Sequence, residues 1–338
     1  MAGRIVSGLM SDATAPATGP ATAPARRPER RPFRFSSPAA GILDAGALRD
    51  RVRTLEDLGY STVTISDHFD DQLGPIASLM AAAEATTTLR IGALVFSNDF
   101  RHPAVVAKEA ATLDVLSGGR LEFGLGAGWM DADYSRTGLV KDRPGVRIER
   151  LAESIEVIRS LWSEGPTTFH GEHYRIDDLD GLPKPVQQPR PPIIVGGGSE
   201  KVLRLAGGMA DIVSLNPSMR SGRIDHTAGA SSTPQATDDK LSWIRDGAGE
   251  RFDQIELHVR LEVALVCDDP EPYFEGLSGG FGLTPDEARE SPHALLGPPS
   301  MMIDRLVERR ERWGLSYIGV PQEASEAMAP VGAALAGT

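Results

Sequence analysis

A (β/α)8 TIM barrel is the fold the sequence predicts, a single α/β domain with insertions. Three observations point there. From Phe33 onward, short apolar runs alternate with amphipathic stretches, and strands alternating with helices build a parallel sheet. Eight such runs can be counted. The roughly 300 residues they occupy suit a barrel, which takes about 250 residues plus insertions. A doubly wound sheet is the alternative architecture.

The elements follow in order. Phe33–Ser36 is the first strand. Leu48, Val52, Leu55 and Leu58 recur at helical spacing, and Gly59 closes that helix. Ser61–Ser66 (STVTIS) is β-branched and forms the second strand. Leu89–Phe96 (LRIGALVF) is the third. His102–Leu116 is a helix with Pro103 in its first turn and Gly118 past its end. Leu121–Leu125 is the fourth strand and runs into Gly126 and Gly128. Arg143–Trp162 is a long helix with Ile148, Leu151, Ile155, Ile158 and Leu161 on one face. Ile193–Val195 is a strand, Glu200–Ala206 a helix and Asp211–Leu215 a strand. Asp238–Ile244 is helical and Ile255–Val266 is one strand. Met302–Trp313 is a helix, Ser316–Val320 the eighth strand and Glu323–Leu335 the last helix.

Two connections exceed ordinary loop lengths and count as insertions. One is 165–192, where TTFHGEHYRI can form a hairpin before a Pro-rich run. The other is 270–299, rich in Gly and Pro. A third irregular stretch is 216–237. Long loops at the C-terminal face of a barrel either cover substrates or are plain excursions. Residues 1–32 form an Ala/Pro/Arg-rich tail, read as disordered because it offers almost nothing to bury. Its one apolar patch, Ile5–Met10, is broken by Ser7 and Gly8 and is too short for a signal sequence. A cytoplasmic location is expected.

Composition excludes some functions. Acidic residues number 47 against 35 basic ones, a formal charge of -12. An acidic body argues against nucleic acid, whose backbone needs clustered Lys and Arg. No apolar stretch is long enough to span a membrane. The one cysteine, Cys267, allows neither an intrachain disulfide nor a Cys-based zinc site.

In a barrel the chemistry sits on the loops after the strands. The second strand ends in Ser66-Asp67-His68-Phe69. His68 there can donate or accept a proton near neutral pH, and Asp67 can bond a cofactor ring or orient its neighbour. A capped acidic loop is the plainer reading. Gly124, Gly126 and Gly128 share one strand face. Either a flat ring or another backbone can approach closely there. Trp129 stands where a dinucleotide fingerprint needs glycine, so a Rossmann reading is poor. PPIIVGGGSEK at 191–201 ends a strand in Gly196, Gly197 and Gly198, then opens a helix at Ser199. Bare N–H groups, a helix N-terminus and a hydroxyl make a phosphate cradle. A Gly-rich turn with Ser199 as N-cap is the alternative. Arg143, Arg147 and Arg150 share a helix face, with pairing to Glu149 and Glu153 expected. His170 and His173 lie three apart in a strand and face opposite ways, so no metal site is assigned.

Together these segments resemble the luciferase-like monooxygenase superfamily, and within it the branch dependent on coenzyme F420, a 5-deazaflavin. The resemblance rests on ISDHF at 65–69 and on LRIGALVFSNDFRHPAVVAKEAATLDVLSGGRLEFGLGAGW at 89–129. The FHGEHY hairpin and PPIIVGGGSEKVLRLAGGMADIV extend it. It implies a (β/α)8 barrel that binds F420 or, alternatively, FMN. It implies that Asp67 binds the cofactor and that His68 donates a proton or stabilises the ring. It implies a cis peptide joining Leu94 and Val95 behind the ring, with Ser97 and Asn98 touching the ring. Gly126, Gly128 and Trp129 would line the cofactor site, and Gly196–Ser199 would hold its phosphate. Sugar-phosphate dehydrogenases of this branch carry a catalytic Glu where this chain has Trp129, which puts that substrate in doubt.

The implied function is F420-dependent hydride transfer between the deazaflavin C5 and a small organic substrate. An FMNH2-dependent monooxygenase served by a flavin reductase is the alternative. A non-catalytic flavin- or deazaflavin-binding barrel is a second one. A deazaflavin has carbon where a flavin has N5, so the cofactor decides the reaction class. The resemblance also implies a homodimer.

Overall fold

The computed structural model describes residues 30–219, 222 and 226–338. Among the described residues, eight parallel strands close a barrel. They are β1 (Arg34–Pro38), β2 (Thr62–Ile65), β3 (Arg90–Ala93), β4 (Leu121–Gly126), β5 (Ile193–Gly197), β6 (Ile212–Leu215), β7 (Glu256–Arg260) and β8 (Leu315–Gly319). Each pairs with the next, and β8 returns to β1 with Tyr317 opposite Arg34. Register is continuous round the ring: Ser36 faces Thr62, Thr62 faces Arg90, Ile91 faces Leu121 and Phe123 faces Ile193.

Helices wrap the outside: α1 (Ala45–Asp57), α2 (Pro75–Ala85), α3 (Pro103–Leu116), α4 (Pro144–Trp162), α5 (Glu200–Met209), α6 (Pro234–Ala248), α7 (Pro299–Trp313) and α8 (Ala329–Leu335). Proline stands in the first turn of α2, α3, α4, α6, α7 and α8, where its missing N–H costs nothing. Asp44 caps α1 by accepting the Ala47 N–H at 2.9 Å. The main core lies between strands and helices, where Val52, Leu55, Val63, Ile91 and Phe123 are fully covered. Inside the ring, a small cluster of Ile194, Ile212 and Tyr317 packs against Leu94.

The first residues of the strands close the floor with charge. Arg34 donates to both oxygens of Glu256 at 2.7 and 2.6 Å and also pairs with Glu122. Arg90 and the Tyr317 hydroxyl each donate to Glu122 at 2.9 Å. The opposite, C-terminal mouth is left for chemistry.

Several expectations need correction. The run Ile255–Val266 is two strands. After β7, Leu261 N–H bonds Gly319, and then Glu262 and Val263 turn to His293. Val263–Val266 thus pairs with Ala294–Gly297 in a separate parallel sheet. The insertion 270–299 is folded, with helices Glu271–Phe281 and Pro285–Glu290 around Phe274, Ala288, Ala294 and Leu296. The apolar alternation continues through the change of partner, so periodicity could not reveal it. Leu89–Phe96 breaks after Ala93 and resumes as Phe96–Ser97 against β4. The stretch 216–237 contains helix His226–Ala230 and the start of α6. Glu323–Leu335 divides into a 3-10 turn at Gln322–Ala324 and then α8. The expected tail lies outside the described residues up to Glu29.

Candidate active site

The site is built from the ends of β2 through β6. Asp67 follows β2 and is buried. Its carboxylate accepts the Ser97 N–H at 3.0 Å and a two-pronged pair from Arg101, at 2.5 and 3.2 Å. The carboxylate therefore ties the end of β2 to the turn after β3.

That turn is where the peptide bond joining Leu94 and Val95 is cis, at the position the resemblance implied. The glycine face of β4 receives it. A Cβ on Gly124 would fall 2.0 Å from the Ala93 carbonyl oxygen, and one on Gly126 would fall 2.6 Å from Val95 Cγ2. Gly124 thus admits the backbone of Ala93, while Gly126 admits the Val95 side chain. Gly128 has φ +73, and a Cβ there would meet the Tyr134 hydroxyl at 2.0 Å.

Ser97 and Asn98 are both buried behind this turn. Among the described residues, Ser97 Oγ and Asn98 Oδ1 have no hydrogen-bond partner. Asn98 Nδ2 donates to the Tyr174 hydroxyl at 3.2 Å. Tyr174 belongs to the insertion hairpin, Pro166–His170 paired with Arg175–Asp180. The hairpin therefore buttresses the site through Asn98. Glu153 holds its turn by accepting the N–H groups of Glu172, His173 and Tyr174 at 2.7–3.1 Å. His170 bonds Asp177 at 2.6 Å on the exposed side. His173 lies in the turn rather than in a strand, with Nε2 buried.

The arginines of α4 do other work than pairing with Glu149 and Glu153. Arg147 donates to the carbonyls of Ala127 and Gly128. Arg150 bonds Asp99 and Asp142, both at 2.9 Å. Asp99 also accepts the Tyr134 hydroxyl at 2.7 Å. Burial and that carboxylate push the Tyr134 phenol up to about 12, so it stays a donor.

His68 projects from the same rim. Its Nδ1 lies 2.7 Å from Asp133 Oδ2. The Phe69 N–H donates to Asp133 Oδ1 at 3.1 Å. Trp129 meets the His68 ring edge-on, with centroids 5.6 Å apart and planes at 87°. Trp129 also lines a cavity of about 540 Å³ with Met130, Asp131, Ala132, Ser135 and Arg136.

The glycine loop lies one strand further round. Gly196 packs beside Asn216 and Val95; Cβ atoms on Gly197 and Gly198 would collide with Val202 Cγ1 at 2.3 Å and the Asn216 carbonyl at 2.6 Å. Ser199 is the N-cap of α5, but its hydroxyl makes no capping bond. The hydroxyl is therefore not spent on the helix.

Comparison with known proteins adds the lineage. Residues 31–231 match the luciferase-like monooxygenase family. The chain belongs to that family. An F420-dependent glucose-6-phosphate dehydrogenase of Nakamurella multipartita is 31% identical over 65% of this chain and 64% of its own length. An FMNH(2)-dependent dimethylsulfone monooxygenase of Pseudomonas putida is 30% identical over 42% of this chain and 39% of its own. The chain thus spans less than two thirds of these curated relatives. The coenzyme F420-dependent tetrahydromethanopterin reductase of Methanopyrus kandleri superposes with a TM-score of 0.71 at 19% identity, covering 88% of this chain and 98% of that one. That likeness concerns the fold. No described helix is long and apolar enough to cross a membrane.

Asp133, Arg101 and Tyr174 were missed by sequence reasoning. Asp133 sits in WMDADY, where an acid reads as a helix-dipole complement. An unexplained acid shortly after a barrel-strand end was the one available signal.

Proposed function

We propose that this luciferase-like protein is an F420-dependent oxidoreductase. The bound deazaflavin would supply hydride exchange at its ring carbon C5 with an organic substrate. The observation that carries the reading is the pair of buried, unpartnered atoms Ser97 Oγ and Asn98 Oδ1 beside the Leu94–Val95 turn. Two such atoms on adjacent residues of one strand-end turn support a polar-edged ligand beside that turn. Val95, seated on the glycine face of β4, backs that ligand. Gly196–Ser199 and the start of α5 hold its phosphate.

His68 holds or moves a proton at the exposed side of its ring, where charge changes as hydride moves. Trp129 forms the wall shared by ring and substrate. Met130 and Ala132 give the cavity an apolar face, and its volume suits a small organic molecule. A homodimer and a cytoplasmic location belong to the same proposal, carried by the family resemblance. The F420-dependent relatives support the cofactor. The dimethylsulfone monooxygenase supports the alternative, an FMNH2-dependent monooxygenase with a reductase.

Titration of F420 into wild type, Ser97→Ala and Asn98→Leu tests the reading. Each variant weakens F420 by roughly tenfold, as expected for one lost hydrogen bond to a buried group. Unchanged affinity in both, with unchanged melting temperature, refutes the assignment.

A further inference from the structure

We propose that Asp133 is the positioning residue that sets the tautomer and ring orientation of His68. The proposal deepens the reading above and rests on the role given there to His68. Asp133 is buried, and its two oxygens bind two groups of one turn. Oδ2 takes the His68 side chain at 2.7 Å, and Oδ1 takes the backbone N–H of the next residue at 3.1 Å. An ionised carboxylate only accepts. The neutral imidazole therefore carries its hydrogen on Nδ1, and Nε2 keeps a lone pair for the site. In the imidazolium form Nε2–H becomes the donor, so the same nitrogen both takes up and releases the proton. The Trp129 edge contact holds the ring plane.

Asp133 is itself held. It lies in the first turn of helix Asp131–Thr137, and the Thr137 hydroxyl donates to its carbonyl at 2.5 Å. The next residue, Tyr134, anchors that helix through Asp99 to Arg150. A carboxylate in a first helical turn could accept helix N–H groups, yet among the described residues this one bonds the His68–Phe69 turn instead. The geometry thus serves the histidine rather than the helix.

The test uses Asp133→Asn and Asp133→Glu in the full chain. Asparagine keeps an oxygen for the Phe69 N–H but turns an NH2 toward Nδ1. His68 must then carry its hydrogen on Nε2. Nitrogen-15 NMR of the cofactor-free protein reads this directly, with a His68→Gln spectrum assigning the resonances. Wild type shows Nδ1–H, Asp133→Asn shows Nε2–H, and Asp133→Glu restores Nδ1–H. In turnover, Asp133→Asn lowers kcat by about a hundredfold or more with little change in KM, as expected for a wrong tautomer. Asp133→Glu recovers part of that loss. Wild type with its hydrogen on Nε2 overturns the proposal even if Asp133→Asn fails to fold. So does an Asp133→Asn protein with unchanged tautomer or with kcat within about threefold of wild type. The tautomer readout needs no cofactor, so failure of the F420 assignment leaves it intact and separately visible.

Discussion

The carbonyl oxygen of Ala93 occupies the space a Cβ on Gly124 would need, 2.0 Å from its ideal position. The two strands β3 and β4 come this close because β3 ends in an irregular turn that places Leu94 inside the barrel and Val95 against Gly126. The site's back wall is therefore made by one strand leaning on the bare face of its neighbour.

Gly124→Ala should cost about 3 kcal/mol or more, because the group in the way is backbone and cannot rotate aside. Gly276→Ala is the control. Among the described residues nothing lies within 4 Å of its Cβ position, and it sits in helix Glu271–Phe281. That change should be neutral or stabilise by up to about 1 kcal/mol. Urea unfolding of the two variants checks both, and equal stabilities would refute the close approach.

Arg101→Gln should destabilise by about 3 kcal/mol, since it strands a buried carboxylate. Asp67 is 6% exposed and would keep only the Ser97 N–H among these partners. The double variant Asp67→Asn/Arg101→Gln should recover part of the loss. A double-mutant cycle with no coupling would show that the pair does not hold β2 to the turn after β3.

Lys240 gives a pH prediction. It is 1% exposed, and its ammonium donates to the carbonyls of Asn216 and Ser231 at 2.8 and 2.6 Å. Burial lowers it to about 8. Between that value and the ordinary lysine range the unfolded chain binds the proton and the native chain does not. Its contribution to stability therefore rises with pH across that window and is lost as pH falls through 8. Wild type should gain on the order of 3 kcal/mol relative to Lys240→Met across it. Parallel unfolding curves of the two proteins from pH 7 to about 10 read the difference, and a flat one contradicts it.

Much of the barrel was legible because each strand is a short apolar run closed by Gly, Asp or Pro. The α2 helix was not among the expected elements. Its sequence PIASLMAAAEA is apolar nearly all round and shows no stripe. The change of partner after Arg260 was invisible because alternation reports burial, not which strand lies alongside. In the site, Asp67, His68 and the glycines announced themselves by position. Asp133, Arg101 and Tyr174 did not, since each acts through a contact made across 34 to 76 residues of chain.

The cofactor decides the reaction, so its choice is the most direct test. F420 and FMN are titrated side by side into the purified protein and followed by tryptophan fluorescence, with Trp129→Phe as the control for the residue beside His68. The account predicts that F420 saturates at roughly a tenth or less of the FMN concentration, a difference of about 1.4 kcal/mol. Tighter binding of FMN, or binding of neither, would contradict it.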